Sequence, residues 1–471
     1  MNFKLSNLVA ATLAGSMLMG FGANAMADST TDIVNALVAK GVLTEEEGAL
    51  LTKGRTDEAA GQAKALKKAG KLTVSDAIDN ATVYGDIRVR YEDRSGKGVA
   101  AATGIDQTQN LGRSRYKMTL GVKTTSGDFF SDLAFAMGGK GRSDNADFGG
   151  NGSNAANSKD ALYVKRASLG WNATDWLTLQ AGRMENPLYT TPMVWDADLT
   201  TEGLAEKFKF KAGDADIFLT ALQHQYKGIR NVINDVPQAV SGAGTGTTEL
   251  FAFQGGARYA INDKTSAKAA LTYTTYSKTP GTNFAITTNK VTNTLSIVNG
   301  YGVNDLNTIE IPAEINYMAS SNIGVRVFGD YVNNTTGDDR AKAAGIVAGS
   351  SGSDDTAWMF GVAVGSAKDL KAFEGNKMVK GDWAARVWYQ DVGAFSVDAN
   401  LVDSDFMDSR VNMKGTTFKA QYNIQDNVYA NFAYGHATRK NGAYNAAGIG
   451  GDLGLNLSSF DLAQFDITYK F

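Results

Sequence analysis

Residues 465–471, the last seven of the chain, have the sequence FDITYKF. Apolar residues occupy every second position of this stretch: Phe465, Ile467, Tyr469 and Phe471. Because successive side chains of a strand point to opposite sides of its sheet, a period of two predicts a strand with one apolar and one polar face. Such strands occur in soluble sandwiches and in membrane barrels, so the ending alone leaves both architectures open.

Residues 1–27 have the pattern of a secretory signal peptide. They contain one lysine, Lys4, and no acid, then an apolar run over residues 8–21 and small-x-small cleavage patterns that end at Ala25 and Ala27. The apolar run is shorter than the roughly 20 residues of a membrane-spanning helix. We therefore expect the mature chain to leave the cytoplasm, with cleavage after Ala25 or Ala27.

The composition limits what the mature chain can be. Without Lys4 the chain has 45 basic and 49 acidic residues, and this mild negative charge argues against a nucleic-acid partner. The absence of cysteine excludes disulfides and thiolate metal sites. No apolar stretch after the signal is long enough for a spanning helix, so a membrane role would require strands. The 52 glycines, 40 Tyr and Phe residues and five prolines suit many strands joined by loops.

Residues 28–80 differ from the rest of the chain because their apolar residues recur at helical spacing. The stretch KGVLTEEEGALL (residues 40–51) contains a capping-box match at Thr44 and Glu47, which favours the start of a helix. We expect two helices here, either as a loosely attached periplasmic appendage or as a short oligomerising or envelope-tethering element.

From residue 81 to residue 471 the period is two. Segments such as VYGDIRVRY (83–91), EKFKFK (206–211) and IEIPAEINY (309–317) alternate apolar residues with charged ones. Short links alternate with long Gly/Asn/Asp/Ser-rich links, including polar loops predicted near residues 139–160 and 394–409. An outer-membrane barrel requires short turns on its periplasmic rim and longer loops outside. We therefore predict a transmembrane antiparallel β-barrel of about 16 strands, closed by pairing of its last and first strands and wide enough for an aqueous channel.

With these features the chain resembles the Gram-negative outer-membrane porins, and more narrowly the putative-porin family whose members carry a short helical segment before the barrel. The resemblance rests on KGVLTEEEGALL, on AGRMENP (residues 181–187) and on the alternating end with terminal Phe471. It implies residence in outer-membrane lipid, a homotrimer, and recognition of Phe465, Ile467, Tyr469 and Phe471 by the barrel-assembly machinery. It also implies that the loop after the fifth strand, residues 184–200, folds into the lumen.

That loop carries the predicted constriction acids Glu185, Asp196 and Asp198. Basic residues on the polar faces of the first six strands are candidates for an opposing wall: Arg88, Arg90, Arg113, Arg115, Lys117, Arg166, Lys207 and Lys209. Acids that face a basic wall would set ion selectivity at the narrowest point. Two alternatives are an ordinary surface loop with solvated charges, and lumen charges that pair with neighbouring acids such as Asp86 and Asp132.

We predict a passive channel for small hydrophilic solutes and ions, with a substrate-selective channel for anions or organic acids as the alternative. The sequence predicts no enzyme, because its two histidines, His224 and His436, lie on different strands and no Gly-x-Ser-x-Gly or His-Glu-x-x-His motif is present. We expect no cofactor and no metal site. The oxygen-rich stretch over residues 144–160 is a weaker candidate for loose calcium binding than for a solvated loop.

Overall fold

The alternating residues form the strands of one large antiparallel sheet in a computed structural model of the chain. The structure describes residues 78–100, 104–138, 143–150, 159–227, 232–233, 236–237, 247–277, 285–289, 294–298, 303–343, 352–366, 379–442, 444–446 and 451–471. The predicted signal peptide and almost all of the predicted helical segment lie outside these residues. No helix among the described residues is both long and apolar enough to cross a membrane.

Within the described residues, sixteen strands form the barrel wall, and the tenth is in two pieces. They are β1 (Asn80–Ala100), β2 (Asp106–Ser126), β3 (Phe129–Gly138), β4 (Ala161–Thr174), β5 (Leu177–Glu185), β6 (Thr200–Ala212), β7 (Ala215–Lys227), β8 (Thr248–Asn262), β9 (Thr265–Tyr276), β10 (Thr308–Glu310 and Ala313–Met318), β11 (Gly324–Asn334), β12 (Thr356–Gly365), β13 (Trp383–Val392), β14 (Met413–Gln425), β15 (Val428–Arg439) and β16 (Leu455–Lys470).

Smaller elements belong to the loops. A two-residue strand, Ala146–Asp147, pairs with β2. Two separate hairpins pair Val232–Ile233 with Val236–Pro237 and Ala285–Asn289 with Thr294–Val298. Helix α1 spans Gly337–Ala343, and short 3-10 turns span Gly352–Asp355 and Phe406–Ser409.

The barrel closes because β16 pairs with β1. Their antiparallel register runs from Asp86 opposite Lys470 to Ala100 opposite Leu455. At the chain end the Gly85 N–H donates to the Phe471 carbonyl at 2.9 Å, and the Phe471 N–H donates to the Gly85 carbonyl at 3.0 Å. Closure gives the backbone groups at both edges of the sheet a partner, as hydrocarbon requires.

The connections follow the predicted rhythm. Five links at one rim contain two residues each, at 127–128, 175–176, 213–214, 263–264 and 426–427. Most links at the other rim are much longer, for example residues 186–199 and 393–412. The closed sixteen-strand architecture predicted from the sequence is confirmed.

Pro312, the proline of the predicted strand segment IEIPAEINY, lies at the break in β10. Proline lacks the N–H that a central strand donates to its neighbour. The ladder is interrupted between Glu310 and Ala313, and the Pro312 carbonyl accepts a hydrogen bond from the Ala270 N–H at 3.0 Å. The strand therefore continues on the same track after a local break.

The outer face of the barrel is apolar. On β1 the side chains of Val83, Ile87 and Val89 are about half exposed, whereas Arg90 and Glu92, which alternate with them, are buried inside. The terminal apolar residues Phe465, Ile467, Tyr469 and Phe471 likewise lie on the exposed face. This band fits contact with lipid, and the charged positions line the interior.

Two loops fill the outer half of the interior. We call residues 186–199 the strand-five loop and residues 393–412 the strand-thirteen loop. The long link predicted near residues 394–409 is present, but it does not lie in solvent as its polar residues predict, because sixteen of the twenty residues in the strand-thirteen loop are buried. Its Phe395 and Phe406 pack on inward apolar side chains of the wall, such as Trp388 and Phe460.

Gly85 provides a test of closure. A Cβ at this position would lie 2.8 Å from the Phe471 ring and 2.3 Å from the Thr119 carbonyl oxygen. We therefore expect Gly85→Val to lower the free energy of unfolding by about 1–3 kcal/mol through overpacking. Urea unfolding, followed by the mobility of the unheated barrel in gels, measures this loss. Ala81→Val, earlier on the same face of β1, is the matched control, and equal stability of the two variants would contradict the expectation.

Candidate functional site

The strand-five loop crosses the lumen because its threonines and backbone bind the opposite wall. The Thr190 hydroxyl donates to Glu310 of β10 at 2.5 Å, and the Thr191 hydroxyl donates to Asp330 of β11 at 2.6 Å. Gln254 of β8 bonds both to the Tyr189 N–H, at 2.9 Å, and to its carbonyl, at 2.8 Å. Three consecutive loop residues are thus anchored far across the barrel from β5.

The two inward loops bind each other through their backbones. The Asp196 N–H donates to the Leu401 carbonyl at 2.6 Å, and the Asp403 N–H donates to the Pro192 carbonyl at 3.0 Å. The Asp196 carboxylate accepts the Ser404 N–H at 3.0 Å. The loops therefore form one layer inside the barrel, and that layer fixes the position of the acids it carries.

Asp408 holds the strand-thirteen loop to the wall. Its buried carboxylate accepts from Arg94 of β1 at 3.0 Å and from the Asp452 and Leu453 N–H groups at 2.8 and 3.2 Å. Its φ of +55° lies in the left-handed region. Glycine adopts this region readily, Asn and Asp adopt it less often, and other residues rarely do. The chain accepts this turn because the hydrogen bonds to Asp408 stabilise it.

A cavity of about 260 Å³ lies between this layer and the strands β1, β2 and β13 to β16. Charged side chains dominate its lining. Six acids and six bases face it, namely Asp86, Asp196, Asp198, Asp403, Asp405 and Asp466, with Arg88, Arg90, Lys117, Arg386, Lys419 and Lys470. Four of the acids come from the two loops, and all six bases come from the wall.

Loop acids pair with wall bases across the cavity. Arg90 contacts Asp405 at 3.0 Å and Asp466, on the neighbouring strand, at 2.7 Å. Lys117 lies 3.6 Å from Asp198. Negative charge on the loop side of the cavity therefore faces positive charge on the wall side at a distance of a few ångströms.

The loop acids differ in charge at neutral pH. Burial, together with Asp403 and Asp198, raises the pKa of Asp196 to about 7. Burial alone would raise the pKa of Asp198, but Lys117 and Lys165 lower it overall. Burial also acts to raise the pKa of Asp405, but the nearby charges of Arg90 and Lys419 outweigh it and hold that pKa well below its usual range. Asp198 and Asp405 are thus ionised at neutral pH, while Asp196 is partly protonated.

The structure distributes the predicted acids over two places. Asp196 and Asp198 face the cavity, whereas Glu185 does not line it. Glu185 ends β5 and pairs with Arg166 at 2.7 Å, with its own side chain 67% exposed.

The eight predicted bases do not form one continuous wall. Arg88, Arg90 and Lys117 line the cavity. Arg113 and Arg115 instead pair with Glu92 and Asp147, at 2.7 and 2.8 Å respectively.

The other three predicted bases lie elsewhere. Arg166 contacts Asp132 at 2.9 Å as well as Glu185, and Lys207 and Lys209 line a second cavity. Several of the eight predicted bases are therefore paired with neighbouring acids, which is the second alternative given for the lumen charges.

Sequence reasoning missed half of the charged lining. Arg386, Lys419 and Lys470 complete the basic side of the cavity, and Asp403, Asp405 and Asp466 complete the acidic side. The three bases and Asp466 stand on the polar faces of strands, so strand periodicity could have identified them. The two loop acids, Asp403 and Asp405, had no such signal, because their loop reads as a polar link.

The described residues contain no group of three or more His, Cys, Asp or Glu arranged to hold a metal ion. Asp144 and Asp147, from the oxygen-rich stretch, form ion pairs with Lys165 and Arg115. His224 is buried among inward residues and bonds the Glu202 backbone, while exposed His436 contacts Asp461 at 2.7 Å.

Asp408→Ala should release the strand-thirteen loop. The change leaves the Asp452 and Leu453 N–H groups without an acceptor and removes one partner of Arg94, a loss of about 3 kcal/mol. We expect limited proteolysis to cut within residues 393–412 of the variant while the barrel stays folded. Asp461→Ala, which removes an exposed ion pair, is the matched control, and an unchanged cleavage pattern in Asp408→Ala would refute the anchoring role.

A family model described as "Putative porin" matches residues 92–299 and 282–471. No curated protein matches the chain. Among solved structures, the outer membrane channel DcaP of Acinetobacter baumannii is 12% identical with a TM-score of 0.41, over 84% of this chain and 99% of that one.

A substituted porin of Rh. blastica is 11% identical with a TM-score of 0.37, over 83% of this chain and 100% of its own. The family model spans well over half of the residues and includes nearly the whole barrel. The chain therefore belongs to the putative porin family, whose members are channels of the bacterial outer membrane and not enzymes.

Proposed function

We propose that the barrel is a water-filled channel through which small hydrophilic solutes and ions diffuse passively, with the charged cavity as its selectivity element. The observation that carries this proposal is the lining itself, in which acids from two inward loops face bases from the wall. Rings of side-chain charge at a constriction set which ions pass.

The lining explains how selection would work. With all twelve groups ionised the six acids balance the six bases, so the net charge of the cavity is close to zero. The raised pKa of Asp196 removes part of one negative charge near neutral pH. The channel would then favour anions weakly, and polar solutes would align with the field across the cavity.

A selective channel for anions or organic acids is the second candidate. It is favoured by the two loops, whose apolar residues fill part of the outer half of the lumen against wall residues such as Trp388 and Leu222. A narrow passage favours recognition of a particular solute over general diffusion.

We also propose that three copies associate in the membrane and that the barrel-assembly machinery recognises the end of the chain. Support for the second point comes from Phe471, whose ring is half exposed on the outer face and contacts Tyr469 at 5.8 Å between centroids. Mass measurement of the native complex in detergent tests the first point, and assembly of a Phe471→Ala variant tests the second.

Single-channel recording in a planar bilayer under a KCl gradient tests the channel itself. An open porin gives large, stable current steps, in triplets for a trimer. A folded protein that produces no steps would overturn the diffusion channel and leave the solute-selective candidate, which would conduct only with its solute.

Loop acids should oppose anion passage. Asp198→Asn and Asp405→Asn each remove a negative charge that faces the wall bases, so the ratio of chloride to potassium permeability should rise by about two- to fivefold. Asp461→Asn, which removes an exposed acid that lines neither this cavity nor the other cavity at Lys207 and Lys209, should leave the ratio near that of the unmodified chain. The reversal potential measures each ratio, and a shift toward potassium in either loop variant would contradict the assignment.

Asp196 should make selectivity depend on pH. Because its pKa is about 7, this group is mostly charged at pH 8 and mostly neutral at pH 6, so acidification should move the reversal potential toward anions. Because the pKa of Asp196 is higher in the folded chain than in the unfolded chain, protonation of this group favours folding. The free energy of unfolding should therefore fall as the pH rises from about 4 past 7.

Asp196→Asn is the matched variant for this effect. It keeps a side-chain oxygen for one of the two backbone N–H groups that Asp196 accepts and cannot ionise, so the shift in reversal potential between pH 8 and pH 6 should be lost. A full shift in this variant would assign the titration to another group, such as Asp403, whose pKa burial also raises.

A further inference from the structure

A second cavity, of about 730 Å³, lies on the periplasmic side of the strand-five loop. We call it the lower chamber. Its walls come from β6 to β9, and its roof comes from loop residues 187–189. Lys209 and Arg258 lie within five residues of the two-residue turns at 213–214 and 263–264, which places the chamber close to the periplasmic rim.

Positive charge predominates in the lower chamber. Its basic residues are Lys207, Lys209, Lys211, Arg258 and Lys268, and its acids are Asp175 and Asp216. Asp216 is already paired with Lys211 at 3.4 Å. The chamber therefore differs from the charge-balanced cavity above it.

Three of these bases form no ion pair among the described residues. Lys207 donates to the Gln180 amide oxygen at 2.8 Å, a neutral acceptor, and Glu185 acts on it only from beyond ion-pair distance. Lys209 and Arg258 form no ion pair within the part of the chain that the structure describes, although both line the chamber. An anion that enters would gain hydrogen bonds to charged donors, which are stronger than neutral ones.

Apolar surface adjoins this charge. The Lys268 ammonium lies 3.6 Å from the centre of the Tyr189 ring and 4.9 Å from that of Phe218. Pro187 and Leu188 extend the apolar surface along the roof. A ligand site with apolar walls and a few charged groups matches molecules that have both characters.

We propose that the lower chamber binds organic anions that combine a carboxylate with an apolar body. The carboxylate contacts Lys207, Lys209 and Arg258, and the body lies against Leu188, Tyr189 and Phe218. The inference rests on the proposed function in one respect, since the channel would deliver such solutes to the site. It deepens the second candidate function by giving the solute class and its place.

Equilibrium binding tests the site without requiring current. Benzoate is titrated into the folded, detergent-solubilised full-length protein in a calorimeter, with acetate and benzylammonium as probes that lack the apolar body or the negative charge. We expect saturable benzoate binding, weaker acetate binding and no benzylammonium binding. Lys209→Gln and Arg258→Gln should each weaken benzoate binding by about tenfold or more, the usual effect of losing a hydrogen bond to a charged group.

Lys264→Gln is the matched control, because it removes a positive charge from the same rim at a turn that does not line the chamber. Its benzoate affinity should equal that of the unmodified chain, and gel mobility verifies that every variant is folded. Absence of benzoate binding, or equal losses in Lys264→Gln and Arg258→Gln, would overturn the site even if KCl currents are normal. Binding without KCl currents would instead overturn the diffusion channel and keep the site.

Discussion

Everything in this protein depends on the pairing of β1 with β16. A strand edge in hydrocarbon has no water to satisfy its N–H and carbonyl groups, and each unsatisfied group costs several kcal/mol. The fifteen paired positions between these strands remove that cost and turn a sheet into a closed wall. The wall then has two environments, lipid outside and solvent or protein inside. Because side chains alternate along each strand, every second residue faces lipid and the residues between them face the interior.

The interior adds a second level of organisation to this wall. Near the periplasmic rim, inward positions are polar or charged and border open space. Toward the outer rim the inward side of β16 changes to Leu455, Leu457, Phe460 and Leu462, which pack against the strand-thirteen loop. The barrel thus has a folded core inside its outer half, and the charged cavity lies where that core ends.

Strand positions, closure and the apolar outer face could be predicted from the sequence because each follows from local alternation and from the chemistry of lipid. The strand-thirteen loop could not. Its polar residues suggest a surface loop, but they satisfy one another once buried: Asp398 accepts the Asn400 N–H at 2.9 Å and the Tyr276 hydroxyl at 2.9 Å. The Tyr276 contact joins distant parts of the chain, and no local pattern encodes it. The acids Asp403 and Asp405 were missed for the same reason.

The contact between Arg94 and Asp408 also has a consequence for assembly. These residues are separated by 314 positions, and Asp408 in turn accepts N–H groups that precede β16. The strand-thirteen loop can reach its final position only after the beginning and the end of the chain have met. During insertion the barrel would therefore first close around a lumen that the strand-thirteen loop does not yet obstruct, and the charged cavity would form last.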